Sequence, residues 1–156
     1  MFAITDIAII PYNKAYATDF KKLNLAWIEQ YFVAEPHDVE VLDDPEHFII
    51  HPGGEILFAK HGNNIVGTCA LVKTAPQEFE LAKMAVAADM RGKKVGNLLG
   101  EAALEKCRAA GARRIWLESN RQLVAAITLY KKLGFTEIPI TNTPYARADI
   151  KMERWL

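Results

Sequence analysis

The stretch Arg91-Gly92-Lys93-Lys94-Val95-Gly96 decides the fold, because it falls where one hydrophobic period gives way to another. Glu80 to Ala87 before it reads as a strand. Gly96 to Ala110 after it reads as a helix, with Leu99, Ala103, Leu104 and Cys107 on one face. A glycine-bearing turn between strand and helix leaves amide N–H groups unpaired at the helix's positive end, a setting that suits phosphate oxygens. Arg91, Lys93 and Lys94 add cationic side chains there. The competing reading is an ordinary strand-to-helix turn with solvated basic residues. Two familiar phosphate motifs fail: a Walker A loop needs Lys-Ser/Thr after its second glycine, whereas Asn97 follows Gly96. A dinucleotide fingerprint needs three glycines after the first strand, and this turn has two and lies past mid-chain.

The spacing Arg91-x-x-Lys94-x-Gly96 resembles the acyl-CoA pyrophosphate loop of the GNAT N-acetyltransferase superfamily, whose pattern is Gln/Arg-x-x-Gly-x-Gly/Ala. Glu80-Leu81-Ala82-Lys83-Met84-Ala85-Val86 resembles the strand that precedes that loop. Asn120, Ala126 and Leu129-Tyr130-Lys131-Lys132-Leu133-Gly134-Phe135 resemble the family's later Asn…Ala…Leu-Tyr-x-Lys-x-Gly-Phe segment. The three segments stand in the family's order across residues 78 to 138. One position departs: the family's middle loop glycine is Lys94 here, which implies a less close approach of backbone to pyrophosphate.

The resemblance implies a mixed α/β (α+β) fold, a central, mostly antiparallel twisted sheet with one parallel pair splayed at the acyl-CoA site and helices on both faces. It implies acetyl transfer from acetyl-CoA to a primary amine of a small molecule or peptide, by direct attack in a ternary complex without a metal. Backbone groups of Met84, Ala85 and Val86 would pair with pantetheine. Arg91, Gly92, Lys93, Lys94, Val95, Gly96 and Asn97 would hold the pyrophosphate, with Asn120 and Lys132 as further cofactor contacts. Asn120 also reads as a strand-end cap or turn residue. Tyr130 matches a tyrosine near the thioester sulfur that serves as general acid, and it also reads as a core aromatic. Glu80 and Glu118 are the candidates for general base, with a water chain as the alternative. Acceptor contacts fall to Trp27, Glu29, Tyr31 and Tyr145, beside an acidic series of Glu35, Asp38, Glu40, Asp43 and Asp44 that favours a cationic amine. The rival reading is a non-catalytic acyl-CoA-binding regulatory module.

Composition narrows the field. A chain of 156 residues suits one domain spanning 1–156 and can bury a sizeable core. Nineteen basic residues balance nineteen acidic ones, which gives no net positive field for nucleic acid. No apolar run reaches the ~20 residues that span a bilayer, so a cytoplasmic protein away from the membrane is expected. Cys69 and Cys107 read as free core thiols. His47 and His51 are four apart, but Pro52 and the glycines after it argue against a shared helix face, so no metal site is expected.

Along the chain, Ile4 to Ile10 reads as a strand and Ala15 to Phe32 as an amphipathic helix, with Phe20, Leu23, Trp27, Ile28 and Tyr31 at helical spacing. Asp38 to Ile50 reads as a second short helix that Pro45 weakens. Glu55 to Lys60 and Ile65 to Lys73 form a hairpin, followed by the strand Glu78 to Ala87. Arg114 to Glu118 is a strand parallel to that one through the crossover helix. Val124 to Leu133 is a helix stopped by Gly134, and Phe135 to Ile140 and Ala148 to Trp155 are final strands. Family habit admits a homodimer through those last strands.

Overall fold

Alternation in the central strands sorts side chains to two faces of one sheet, and a helical layer covers each face. The computed structural model describes residues 6–156, so the first residues of the strand expected from Ile4 lie outside the described residues. The strands are β1 (Ile7–Pro11), β2 (Glu55–His61), β3 (Asn64–Ala75), β4 (Glu78–Val86), β5 (Arg114–Ser119), β6 (Thr136–Ile138) and β7 (Ile150–Trp155). They form one sheet in the order β1-β2-β3-β4-β5-β7-β6. Every neighbouring pair is antiparallel except β4 and β5, which are joined by a crossover helix and run parallel, as that connection requires.

The helices are α1 (Ala17–Tyr31), α2 (Pro36–Asp43), α3 (Val95–Ala109) and α4 (Val124–Lys132). On one face Leu57, Ala59, Cys69 and Leu71 pack with Val95, Leu99 and Leu104 of α3. On the other, Ile56, Phe58 and Ala70 pack with Phe20 and Ile28 of α1 and with Val41 and Leu42 of α2. Both cysteines are buried and free.

Proline explains three departures from the sequence expectations. The segment read as one helix from Asp38 to Ile50 is instead α2 followed by a single wide turn at Glu46–Ile50, with Pro45 between them. Pro36, two residues ahead of the expected start at Asp38, opens α2 at a position where its missing N–H costs nothing. The strand expected to run on to Ile140 stops at Ile138, just before Pro139. Of the two final strands only β6 stands at the sheet edge, because β7 is paired on both sides.

Candidate active site

The parallel pair does not stay together. β4 and β5 are in register only at Glu78↔Arg114, Phe79↔Ile115 and Glu80↔Trp116. Beyond that point β5 continues to Ser119 against β7, and β4 continues to Val86 against β3, so a wedge opens between them. A bulge marks the same place on β4: three steps from Ala82 to Ala85 face two steps from Ala70 to Thr68. Lys83 absorbs the extra residue with a left-handed backbone at φ 53°.

An open cleft of about 850 Å³ occupies the outer part of the wedge. Met84, Ala85 and Val86 form one wall, and Arg91, Gly92, Lys94, Val95, Gly96 and Asn97 form its end. The α4 side contributes Ala126, Leu129, Tyr130 and Lys132, with Trp27 and Tyr31 on the rim. The first i→i−4 bond of α3 is donated by the Leu98 amide to Lys94 at 3.1 Å, so the amides of Val95, Gly96 and Asn97 precede it at the helix's positive end. Lys94 caps the helix with φ 64°, ψ 18°, the region where glycine alone is unstrained. Gly92 has φ 77° as well. Space is also restricted: a Cβ on Gly96 would sit 3.3 Å from Leu129 Cδ2. Arg91 is tied to the Gln30 side chain and, through Nε, to the Val86 carbonyl at 3.2 Å.

A smaller inner cavity of about 90 Å³ lies where the strands part. It shares Trp27, Met84, Leu123 and Tyr130 with the cleft, so the two spaces are contiguous there. Glu80 and Glu118 stand on its wall, one from each diverging strand. Burial, and then the nearby charge of Glu118, pushes the Glu80 carboxyl up to about 7, against the opposing pull of Lys83 and Lys151. Thr143 donates its hydroxyl to Glu118 at 2.8 Å. Tyr130 is held by a helix stop in which the Phe135 amide bonds to the Tyr130 carbonyl and the Gly134 amide to Lys131, each at 3.0 Å, with Gly134 at φ 90°. Phe135 then meets the Tyr130 ring edge-on at 6.1 Å. Burial pushes the Tyr130 phenol up to about 12, so it carries its proton at neutral pH.

Asn120, Glu29 and Lys93, all expected site residues, lie outside the wall of the outer cleft. Asn120 lines the inner cavity, but its side chain donates to the Arg147 carbonyl and accepts from the Gln122 amide, both at 2.8 Å, so it clamps the loop. Glu29 is exposed and lies in neither wall, because α1 turns Phe20, Asn24 and Ile28 inward instead. Lys93 is exposed and outside the cleft wall, with Gly92 and Lys94 on either side of it facing in. The acidic series also divides. Asp38 is wholly buried and accepts from Lys83 Nζ at 2.7 Å and from both Arg147 terminal nitrogens at 2.7 and 2.8 Å. Burial works to raise its carboxyl, but those hydrogen bonds outweigh it and hold the group well below the usual carboxylate range.

Lys83 and Arg147 line the inner cavity without having been expected there, and Asp38 was expected only as one of an acidic series, not as their buried partner. Lys83 left one signal: in the alternation Leu81, Lys83, Ala85, the flanking members are buried, so a lysine there needs a buried partner. Arg147 left none. Among the described residues no group of His, Cys, Asp and Glu is arranged to hold a metal ion, and no helix is long and apolar enough to cross a membrane.

Relatives share this arrangement of strand, loop and helix. The model of the acetyltransferase (GNAT) family matches residues 20–135. An uncharacterized N-acetyltransferase of Escherichia coli K12, YjgM, is 30% identical over 131 residues, covering 81% of this chain and 76% of its own. YvbK of Bacillus subtilis strain 168, also an uncharacterized N-acetyltransferase, is 32% identical over 104 residues, 65% of this chain and 67% of its own. The crystal structure of a GNAT-family acetyltransferase from Staphylococcus aureus Mu50 superposes with a TM-score of 0.85 at 25% identity, over 96% of this chain and 98% of that one. The chain belongs to the GNAT acetyltransferase family. That membership, with relatives named N-acetyltransferases, makes it an acetyltransferase rather than a non-catalytic binding module.

Proposed function

We propose that acetyl-CoA lies along the outer cleft, that the acceptor amine enters the inner cavity, and that Glu80 and Tyr130 serve as base and acid at the junction. The observation that carries this reading is that Glu80 and Tyr130 border one cavity at the point where β4 and β5 separate. The pyrophosphate would rest on the amides of Val95, Gly96 and Asn97, with Arg91, Lys94 and Lys132 supplying charge. The pantetheine arm would take up backbone bonds along the free edge of β4 at Met84, Ala85 and Val86.

The chemistry follows from these positions. The amine arrives as an ammonium between Glu80 and Glu118 and gives one proton to Glu80. The neutral nitrogen attacks the thioester carbonyl and forms the C–N bond. As the tetrahedral adduct collapses, the C–S bond breaks, and the departing sulfur takes a proton from Tyr130. The second proton lost by nitrogen restores the phenol, and the first leaves Glu80 for solvent. A carboxyl held near 7 is half ionised at neutral pH, a suitable poise for a base. Glu118 is the second candidate base, and in this reading its charge raises Glu80.

The test is steady release of CoA thiol with acetyl-CoA and primary amines. Tyr130→Phe should lower kcat by ~10²-fold or more while leaving acetyl-CoA affinity within ~3-fold of wild type. Unchanged kcat at saturating substrates would remove the acid role.

A further inference from the structure

We infer that the acceptor is a small primary amine bearing no carboxylate, selected by a buried ionic latch that closes the inner cavity and neutralises the cations on its wall. The inference rests on the acyl-transfer reading above and narrows it.

The latch is centred on Asp38. Besides Lys83 and Arg147, its carboxylate accepts the Glu35 amide at 2.9 Å, so four donors converge on a side chain with no solvent exposure. The Glu35 carboxylate reaches the same loop: it accepts from the Ala146 amide at 3.0 Å and from Arg147 at 3.3 Å. Lys83 Nζ also donates to the Tyr145 hydroxyl at 2.8 Å, and the His37 and Tyr145 rings lie 5.3 Å apart. The start of α2 is thereby stitched to the segment before β7, across the side of the cavity that Phe32, Tyr145 and Arg147 line. These bonds close that side of the cavity to an extended peptide.

Charge gives the second constraint. Lys83 and Arg147 are the cations on the cavity wall among the described residues, and each is already paired with Asp38. Glu80 and Glu118 face the same space without a cation at ion-pair distance among the salt bridges of the described residues. A carboxylate on the acceptor would therefore be buried beside like charge with no unpaired cation to receive it. An ammonium meets two carboxylates and the rings of Trp27 and Phe32.

Four acceptors built on one side chain test this: isobutylamine, valine, valinamide and a tripeptide beginning with valine, each with acetyl-CoA and CoA-thiol release as the readout. Isobutylamine should exceed valine in kcat/KM by at least ~100-fold, with valinamide well above valine and the tripeptide far below isobutylamine. Asp38→Asn, which leaves Lys83 without its carboxylate and Arg147 with Glu35 alone, should shrink the amine-over-valine preference by at least ~10-fold. Should that variant not fold, Glu35→Ala leaves the buried pairs in place and should raise the tripeptide rate relative to isobutylamine. Valine or the tripeptide within ~3-fold of isobutylamine in the wild type would overturn the inference and leave the transfer reading standing. Acetyl-CoA binding without thiol release to any acceptor would overturn both.

Discussion

Lys94 sits at φ 64° where the family pattern places glycine, so one residue carries both a backbone cost and a charge. For a residue with a Cβ that conformation costs ~1–2 kcal/mol, and glycine returns part of it through its freer unfolded chain. Lys94→Gly is therefore expected to raise the urea midpoint, by about 0.5–1 kcal/mol in stability. A lowered midpoint would mean that the lysine side chain contributes more than the backbone strain removes. The departure at this position was legible in the sequence; that the lysine takes up the glycine-like geometry was not. Tyr130 and Glu80 were named through the resemblance of the segments that carry them, since a helix and a strand pattern alone mark neither residue for chemistry. Asp38, Lys83 and Arg147 meet across 45 and 109 residues of chain, and no local pattern records a contact of that range.

At the scale of elements, the start of α3 and the open edge of β4 form one working unit, since the same wedge exposes both. In the proposed reading the turn between them holds the pyrophosphate through amides and side-chain charge, so added bulk and negative charge at Gly96 would act on binding directly. Gly96→Glu should weaken acetyl-CoA affinity by ~10-fold or more in a calorimetric titration, with the protein still folded by circular dichroism. Unaltered affinity would place the pyrophosphate elsewhere. The elements themselves were largely legible, because α1, α3, β2, β3 and β4 each show a clear period of helix or strand. The errors fell where proline decides: at Pro36, at Pro45 and at Pro139. The splay of β4 from β5 came from the resemblance, since no property of either strand alone says where pairing should stop.

The whole molecule places opposite electrostatic demands on neighbouring carboxylates. Asp38 is kept ionised by the cations around it and ties the two sides of the acceptor cavity together, while Glu80 is held near neutrality by burial and by Glu118. In the proposed mechanism, separating a structural carboxylate from a reactive one in this way lets a single cavity be both closed and basic. The account rests most heavily on Glu80 as the base, and the pH dependence of kcat/KM for an accepted amine tests it most directly. The wild type should show a rising limb with its midpoint near the value of about 7 set by the protein around Glu80. Glu118→Gln removes a charge that raises Glu80, so the midpoint should move to lower pH. Glu80→Gln should abolish that limb and lower the rate by ~10²–10⁴-fold. A limb that persists unmoved in Glu80→Gln would contradict the account and pass the base role to another group.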